Sequence, residues 1–309
     1  MALTLRHHVG RAVLRSVFLP VSRFVRPLAW QRTLLEGSTR TVRMPKSVSV
    51  TDVELGGRPA RHLVPQHKRT DGHVLYLHGG AYVAGSLRSH TPIAALVAEA
   101  VGAQTWLVDY RLAPEHPYPA AREDALTAYN DLLDQGISGS DIILAGDSAG
   151  GGLALSTALA IRQAGWPAPA GLVLLSPWTD VSLSSSSYQS NKAVEVMLSA
   201  RFLWVSGGRY CGEEGGGRRI SRADPGVSPI FADFAGLPPI LAHVGGDEIL
   251  LDDARLVVER ARAAGVAATL RVFDGLWHVF HAGAGTIPEA DEALREVGEW
   301  ARAQLMRRA

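Results

Sequence analysis

The stretch LAGDSAGGGLALSTALAIRQAG at residues 144–165 decides how this chain folds. Its apolar beginning predicts the end of a buried strand, and the small residues at 151–164 predict a helix that is apolar on all sides. Between them, Ser148 lies in a G-x-S-x-G pattern flanked by Gly146 and Gly150. Glycine is needed on both sides because a side chain there would collide with the adjacent strand or helix. The pattern therefore predicts a sharp turn that presents Ser148 as a nucleophile.

Short apolar segments separated by turns and helices recur from residue 47 onward. This alternation is typical of an α/β protein whose mostly parallel sheet is covered by helices on both faces. We predict eight strands, at residues 48–55, 60–64, 74–77, 105–108, 142–145, 172–175, 240–244 and 269–273. We predict helices at residues 91–101, 121–135, 151–164, 252–264 and 288–306. The first two strands, joined by Gly56 and Gly57, predict an antiparallel hairpin at the sheet edge.

The first 46 residues differ from the rest in charge, with nine Lys and Arg against the single acid Glu36. Apolar residues recur there at helical spacing, but Arg15, Arg23 and Arg26 interrupt every run well short of a signal peptide or membrane span. We expect residues 1–46 to form an amphipathic helical cap over one domain at 47–309. Peripheral attachment to an anionic membrane is the alternative for this segment.

The alternation of strands and helices stops again at about residues 179–224. This part contains a serine-rich run, a helical piece at 193–204 and a glycine-rich loop at 212–217. We therefore expect a cap insertion here. The helical piece either lines a substrate pocket or packs on the N-terminal cap.

Composition excludes several classes of function. The net charge of +1 provides no overall field for nucleic acid, and a single cysteine, Cys211, excludes an internal disulfide. Cys and His residues do not cluster at zinc-binding spacing, so the sequence gives no support for a metal site. We also expect no organic cofactor. One cysteine is compatible with a cytoplasmic location.

A serine nucleophile needs a base to take its proton and an acid to orient that base. On such a sheet, the acid and then the histidine follow the serine, each on a loop after a later strand. Asp247 directly follows the strand segment LAHVGG and is the predicted acid, whereas helix capping explains Asp252 and Asp253. His278 lies just beyond the strand segment TLRVFD and is the predicted base, with His281 as the alternative.

An oxyanion site needs convergent backbone amides. HGGAY at residues 78–82 follows a predicted strand, so the amides of Gly79, Gly80 and Ala81 are candidate donors together with that of Ala149. The loop lacks the Lys and Ser/Thr of a phosphate-binding P-loop and the spacing of a dinucleotide site. We therefore predict an oxyanion hole rather than a phosphate site.

With these motifs in view, the chain resembles the bacterial hormone-sensitive lipase-like esterases of the α/β-hydrolase superfamily. The resemblance covers about residues 74–281. It rests on HGGAY (78–82), DYRLAPEHPYPAA (109–121), GDSAGG (146–151), SPWTD (176–180), GDEILLDD (246–253) and WHVFH (277–281).

The resemblance implies Ser148, Asp247 and His278 as a catalytic triad, in agreement with the residues read independently. Where the family has a third glycine in its HGGG loop, this chain has Ala81. We expect its amide to donate if the backbone avoids positive φ, with the methyl group narrowing the pocket. The resemblance also implies structural roles for Arg111, Glu115 and Asp147.

The implied activity is that of a serine carboxylesterase acting on short- to medium-chain acyl esters of small molecules. A deacetylase or lactone hydrolase using the same triad is the alternative enzyme, and a ligand receptor on this fold is the alternative from another class. A homodimer is compatible with the resemblance, although no residue requires one. The candidate residues of the substrate pocket are Tyr82, Trp178, Phe202, Trp204 and Trp277.

Overall fold

The computed structural model describes residues 5–24, 27–38, 42–214 and 219–307. Within these residues, eight strands form one sheet in the order β1-β2-β4-β3-β5-β6-β7-β8. The strands are β1 Val48–Leu55, β2 Arg58–Pro65, β3 His73–Leu77, β4 Gln104–Val108, β5 Ile142–Asp147, β6 Gly171–Leu175, β7 Ile240–Gly245 and β8 Ala268–Phe273. Strand β2 pairs antiparallel with both β1 and β4, and every pair from β4 to β8 is parallel. The predicted mostly parallel sheet with an antiparallel edge hairpin is confirmed.

Burial explains the apolar character of the central strands. Every residue of β5, β6 and β7 is buried, because helices cover both faces of a parallel sheet. Strand β1 lies at the sheet edge and is largely exposed between Val48 and Leu55, in keeping with its polar sequence SVTDVE. The sheet edge is thus polar and its centre apolar.

Helices form a layer on each face of the sheet. The helices are α1 Leu5–Phe24, α2 Leu28–Ser38, α3 Leu87–Val101, α4 Ala120–Asp134, α5 Ala149–Ala164, α6 Ser187–Ser190, α7 Ala200–Tyr210, α8 Leu251–Ala263 and α9 Pro288–Leu305. One core cluster packs α4, α5 and α8 on the sheet through residues such as Leu132, Leu153 and Val257. The other packs α3 and α9 through residues such as Val97 and Val297. Two apolar layers thus hold the sheet between them.

Helices α1 and α2 contact the loops that follow the strands. Arg11 of α1 bonds to the carbonyl of Gly275 at 3.4 Å, and Arg32 of α2 bonds to the carbonyl of Val83 at 2.8 Å. Helix α1 is also tied to the insertion, since Ser199 Oγ donates to the carbonyl of Ser22 at 2.8 Å. No described helix contains a stretch long and apolar enough to cross a membrane.

The helix in the insertion, at about residues 179–224, differs from its prediction. Helix α7 begins at Ala200, after the N-cap Ser199, and extends to Tyr210, so the helix predicted at 193–204 starts too early. The cause is Glu195, whose carboxylate accepts the amides of residues 196–198 and holds them in a turn. Residues 215–217 of the predicted glycine-rich loop lie outside the described residues.

A pair of fully buried histidines lies in the core. His281 Nε2 and His243 Nδ1 of β7 are 3.3 Å apart, and both side chains are inaccessible to solvent. Burial lowers the pKa of His243 to about 3, and burial together with His243 lowers the pKa of His281 well below its ordinary value. Both imidazoles are therefore neutral in the folded protein near pH 6.

We predict that this pair makes folding sensitive to acid. Because the unfolded histidines bind protons at pH 6.5 and the folded ones do not, the free energy of unfolding should decrease as the pH falls below 6.5. The decrease at pH 5 should be about 2 kcal/mol for His243, and His281 should act in the same direction. The free energy of unfolding can be measured by urea denaturation at pH 7.5 and at pH 5.0. Its decrease between the two should be smaller for His243→Gln and His281→Gln than for the unsubstituted protein. The exposed His67, changed to Gln, should leave the difference unchanged. Equal pH dependence in all four proteins would contradict this account.

Candidate active site

Ser148 lies in the turn between β5 and α5, with φ = 54° and ψ = −123°. This strained conformation is typical of a nucleophile elbow. A Cβ atom on Gly146 would lie 2.3 Å from the carbonyl oxygen of Gly150, and one on Gly150 would lie 2.0 Å from that of Leu77. The predicted need for glycine on both sides of the serine is confirmed.

His278 forms its hydrogen bond with Glu248. The distance between His278 Nδ1 and Glu248 Oε2 is 2.8 Å, and the Glu248 side chain is fully buried. The other carboxylate oxygen, Oε1, accepts bonds from Ser176 Oγ and the Gly245 amide, both at 2.6 Å. Ser176 Oγ in turn accepts the amide of Val279 at 3.1 Å, so this serine joins Glu248 to the loop that carries His278.

The turn that carries Ser148, called the elbow below, is bonded to the C-terminal end of β6. The Ser148 amide donates to the carbonyl of Leu175 at 2.8 Å, and the next residue along the chain is Ser176. The parallel strands β5, β6 and β7 therefore bring the elbow, Ser176 and Glu248 to one edge of the sheet. The predicted base His278 follows β8 at that edge.

The prediction that Asp247 holds the histidine is wrong. The Asp247 carboxylate forms an ion pair with Arg11 of helix α1, and both side chains are partly exposed. Neighbouring residues in this turn point in opposite directions, so Glu248 points inward where Asp247 points outward. The motif GDE offered two adjacent carboxylates, but the direction of the chain after β7 could not be read from it.

Two opposing effects act on the pKa of His278. Burial lowers it, but the hydrogen bond and charge of Glu248, with the charges of Glu195 and Asp147, outweigh burial and raise the pKa above its ordinary value. A raised pKa makes the imidazole a stronger base. The carboxylate holds it through Nδ1, the nitrogen that would face away from a substrate.

The other candidate acids and the alternative base have other contacts. Asp253 is fully buried and accepts the amides of Thr179 at 2.7 Å and Asp180 at 2.9 Å, and burial raises its pKa to about 7. Asp252 accepts the Ser187 amide at 2.9 Å. Both therefore hold the insertion instead of capping their helix. His281 is committed to the buried histidine pair described above.

The predicted oxyanion donors divide into two sets. The Gly79 amide donates to Asp147 Oδ1 at 3.1 Å, so the prediction that it faces the oxyanion is wrong. Among the residues that the structure describes, none accepts a bond from the amides of Gly80, Ala81 or Ala149. The amide of Ala149 lies at the N-terminus of α5, where a negative charge is favoured.

Ala81 adopts φ = 55°, although the sequence analysis made a negative φ the condition for its amide to donate. That condition was too strict, because the direction of an N–H group is determined by the peptide unit shared with the preceding residue, here Gly80. The positive φ therefore leaves the amide available as a donor.

Asp147 is a structural residue of this loop. It is buried, accepts a bond from Tyr76 Oη at 2.8 Å and lies 3.6 Å from His90 Nε2. Burial opposes its ionisation, but His90, Tyr76 and His78 outweigh burial and lower the pKa of Asp147. An ionised Asp147 thus holds the predicted oxyanion loop, residues 78–82, through the amide of Gly79.

Arg111 and Glu115 also make structural contacts. The Arg111 guanidinium bonds to Asp124 at 2.8 Å. Glu115 forms an ion pair with Arg32 at 2.7 Å, which lowers the pKa of that carboxyl to about 2 and ties α2 to the segment YRLAPEHP.

The candidate pocket residues occupy different environments. Tyr82 is buried and stacks on Tyr210 with ring centres 3.8 Å apart, and Trp178 is fully buried beside it. Trp277 is buried beneath α1, since a Cβ atom on Gly10 would lie 3.2 Å from its ring. Phe202 is half-buried.

Trp204 is more exposed than these residues. Half of its side chain is exposed, and the Arg222 guanidinium lies 3.6 Å from the ring centre. Its assignment to the pocket stays a prediction.

An elbow serine after a parallel strand, with a carboxylate and histidine on later strand ends in that order, is typical of serine hydrolases with an α/β sheet. Comparison with known proteins agrees. A family described as an alpha/beta hydrolase fold matches residues 74–282, and the chain belongs to it.

Related proteins narrow the class. An esterase from Acinetobacter venetianus is 36% identical over 270 residues, which cover 87% of this chain and 87% of that protein. An acetyl-hydrolase from Streptomyces hygroscopicus is 40% identical over 248 residues, which cover 79% of this chain and 78% of that protein. The crystal structure of an esterase from the bacterial hormone-sensitive lipase family is 36% identical, with a TM-score of 0.90, and the match covers 99% of this chain and 100% of that one. The resemblance to bacterial hormone-sensitive lipase-like esterases and the α/β-hydrolase fold are confirmed.

We predict that Glu248→Gln reduces kcat/KM for p-nitrophenyl acetate by about 10³- to 10⁴-fold, because the imidazole loses its orienting carboxylate. The acid limb of the pH profile should move to lower pH, since the charge that raises the pKa of His278 is gone. Asp247→Asn is the matched control on the adjacent residue and should change kcat/KM less than tenfold. A larger loss in Asp247→Asn than in Glu248→Gln would return the acid role to Asp247.

Proposed function

We propose that this chain is a serine carboxylesterase that hydrolyses short- to medium-chain acyl esters through an acyl-enzyme, with Ser148, Glu248 and His278 as its triad. The observation that carries the proposal is the 2.8 Å contact between His278 Nδ1 and the buried Glu248 carboxylate. That contact orients the imidazole so that Nε2 is the nitrogen left to accept a proton.

The reaction follows from these groups. Ser148 Oγ attacks the ester carbonyl carbon as His278 Nε2 takes the hydroxyl proton, and the carbonyl oxygen becomes an oxyanion. The amides of Gly80, Ala81 and Ala149 donate to that oxygen, and the loss of one such donor typically costs about 3 kcal/mol of transition-state stabilisation. His278 then gives its proton to the leaving alcohol, the C–O bond breaks, and the acyl group stays on Ser148. Water, activated by His278, releases the carboxylic acid and restores the serine.

The burial of the site supports small acyl groups. Ser148 is 7% exposed and His278 is 5% exposed, so both groups are largely shielded from solvent, which favours small substrates. The relative named acetyl-hydrolase supports a short acyl group. A deacetylase or lactone hydrolase would use the same triad, whereas a receptor would have no use for a buried histidine–carboxylate pair.

We predict that the protein hydrolyses p-nitrophenyl acetate and butyrate faster than the laurate ester. Ser148→Ala should lower kcat by at least about 10³-fold while circular dichroism and the melting temperature stay unchanged, because only the nucleophile is lost. A panel of acetylated amines and lactones, measured with the same two proteins, tests the alternative enzymes. An absence of turnover on every ester would contradict the proposal and favour a receptor.

We also propose that residues 1–46, with the insertion at about 179–224, act as a cap on the catalytic domain at 47–309. Support comes from two arginines. Arg11 of α1 pairs with Asp247 and bonds to the Gly275 carbonyl, and Arg32 of α2 bonds to the Val83 carbonyl beside the oxyanion loop. Each N-terminal helix is thus fastened to a loop that carries part of the site.

We predict that Arg11→Gln loosens α1 and raises the rate on p-nitrophenyl octanoate relative to the acetate by several-fold, because longer chains gain room. Arg295→Gln, on the exposed face of α9, is the control and should leave the ratio unchanged. The measurement is kcat/KM across esters of increasing acyl length. An identical acyl-length profile in Arg11→Gln and the unsubstituted protein would remove the cap role from this contact.

A further inference from the structure

Asn191, which directly follows helix α6, contacts the loop that carries Glu248. We define the acid loop as residues 245–249. The side-chain amide of Asn191 donates to the carbonyl of Gly246 at 3.0 Å and to the carbonyl of Glu248 at 2.8 Å. One side chain therefore binds two peptide units, 246–247 and 248–249, which lie on either side of the peptide unit between Asp247 and Glu248.

Glu195 binds the same loop from the next turn of the insertion. It is 2% exposed, and its Oε2 accepts the Ile249 amide at 3.0 Å. Its Oε1 accepts the amides of Val196 at 2.8 Å, Met197 at 2.7 Å and Leu198 at 3.2 Å. A buried carboxylate that accepts four amides is well satisfied and stabilises an otherwise irregular backbone.

The two contacts meet on a single peptide unit. The carbonyl of Glu248 and the amide of Ile249 belong to the same planar peptide group, so Asn191 holds its oxygen and Glu195 holds its nitrogen. A third side chain continues the contact, because Ser187 Oγ donates to the next carbonyl, that of Ile249, at 2.7 Å. The orientation of this peptide group determines where the Cα–Cβ bond of Glu248 points.

We propose that Asn191 and Glu195 are positioning residues for the triad: they clamp the peptide group after Glu248 so that its carboxylate meets His278 Nδ1. This inference rests on the proposed esterase function. Neither residue needs to contact substrate. Misplacing a catalytic group by about 1 Å can cost about 100-fold in rate, so a clamp on the backbone of the acid affects turnover directly.

A role limited to folding would not account for the position of these contacts. The acid loop has backbone bonds of its own, from the Glu248 amide to the Gly245 carbonyl at 3.2 Å and from the Leu251 amide to the Glu248 carbonyl at 3.2 Å. The side chains from the insertion add to a turn that is already formed, and two of them contact the peptide group that directly follows the acid.

The test compares Asn191→Ala and Glu195→Gln with two control variants on the same segment, Gln189→Ala and Lys192→Ala, whose side chains are exposed. We expect kcat for p-nitrophenyl acetate to fall 10- to 100-fold in the first two variants, with KM within threefold. The acid limb of kcat/KM should also move to lower pH in Glu195→Gln, because Glu195, Glu248 and Asp147 are the acids whose charges act on His278. Glu195→Asp should recover part of the rate. The controls should match the unsubstituted protein.

A second measurement separates this inference from the proposed function. The proton on His278 Nδ1 can be followed by its low-field NMR resonance, together with the pKa of the imidazole, whether or not the protein turns over an ester. We expect the resonance to weaken or shift in Asn191→Ala and Glu195→Gln and to stay unchanged in the controls. Folded variants with unchanged kcat, pH profile and resonance would overturn the clamp. An unsubstituted protein with an intact resonance but no turnover would count against the esterase function alone.

Discussion

The buried carboxylate of Glu248 is the constraint on which the site depends. A charge removed from water is tolerated only when it is fully hydrogen-bonded, and this one has three donors: Ser176 Oγ, the Gly245 amide and His278 Nδ1. These donors come from the ends of β6 and β7 and from the loop after β8. Satisfying one carboxylate therefore requires three strand ends to converge, and the same convergence brings the histidine to the edge where the elbow serine lies.

A second buried acid, Asp147, has the matching role on the other side of Ser148. It accepts the Gly79 amide and the Tyr76 hydroxyl and thereby fixes the loop that precedes Gly80. One acid thus orients the base and the other orients the oxyanion loop. Because the elbow between them is strained, rigid neighbours on both sides are what keep Ser148 in its conformation.

The sheet could be predicted from sequence because its signal is local. Strands such as β5 and β6 are apolar runs bounded by turns, and their predicted ends lie within two residues of the observed ones. The elbow could be predicted for the same reason, since the glycines around Ser148 are adjacent to it. The choice between Asp247 and Glu248 is not local. It depends on side chains far along the chain, which pull one carboxylate outward and hold the backbone of the other.

The same limit explains two smaller errors. Gly79 was expected to face the oxyanion, but its amide is taken by Asp147, a residue 68 positions away. Helix α7 begins later than predicted because the Glu195 carboxylate, which also binds the acid loop, holds the preceding turn. In both cases a buried carboxylate accepts backbone amides for which the sequence predicted another partner, the oxyanion for Gly79 and a helix for residues 196–198. Such competition depends on which acid the fold buries nearby, and no periodic pattern reports it.

The two neighbouring acids of the acid loop, Asp247 and Glu248, face different parts of the molecule. Asp247 faces α1 and pairs with Arg11, and because both groups are partly exposed, such a contact contributes at most about 1 kcal/mol. Glu248 faces inward, is fully buried and has its following peptide group held by Asn191 and Glu195. The two parts of the proposed cap thus contact the two acids separately, since α1 pairs with Asp247 and the insertion holds the peptide group after Glu248. Losing the Arg11–Asp247 pair would therefore leave in place the contacts by which Asn191 and Glu195 hold the backbone of the carboxylate that orients His278.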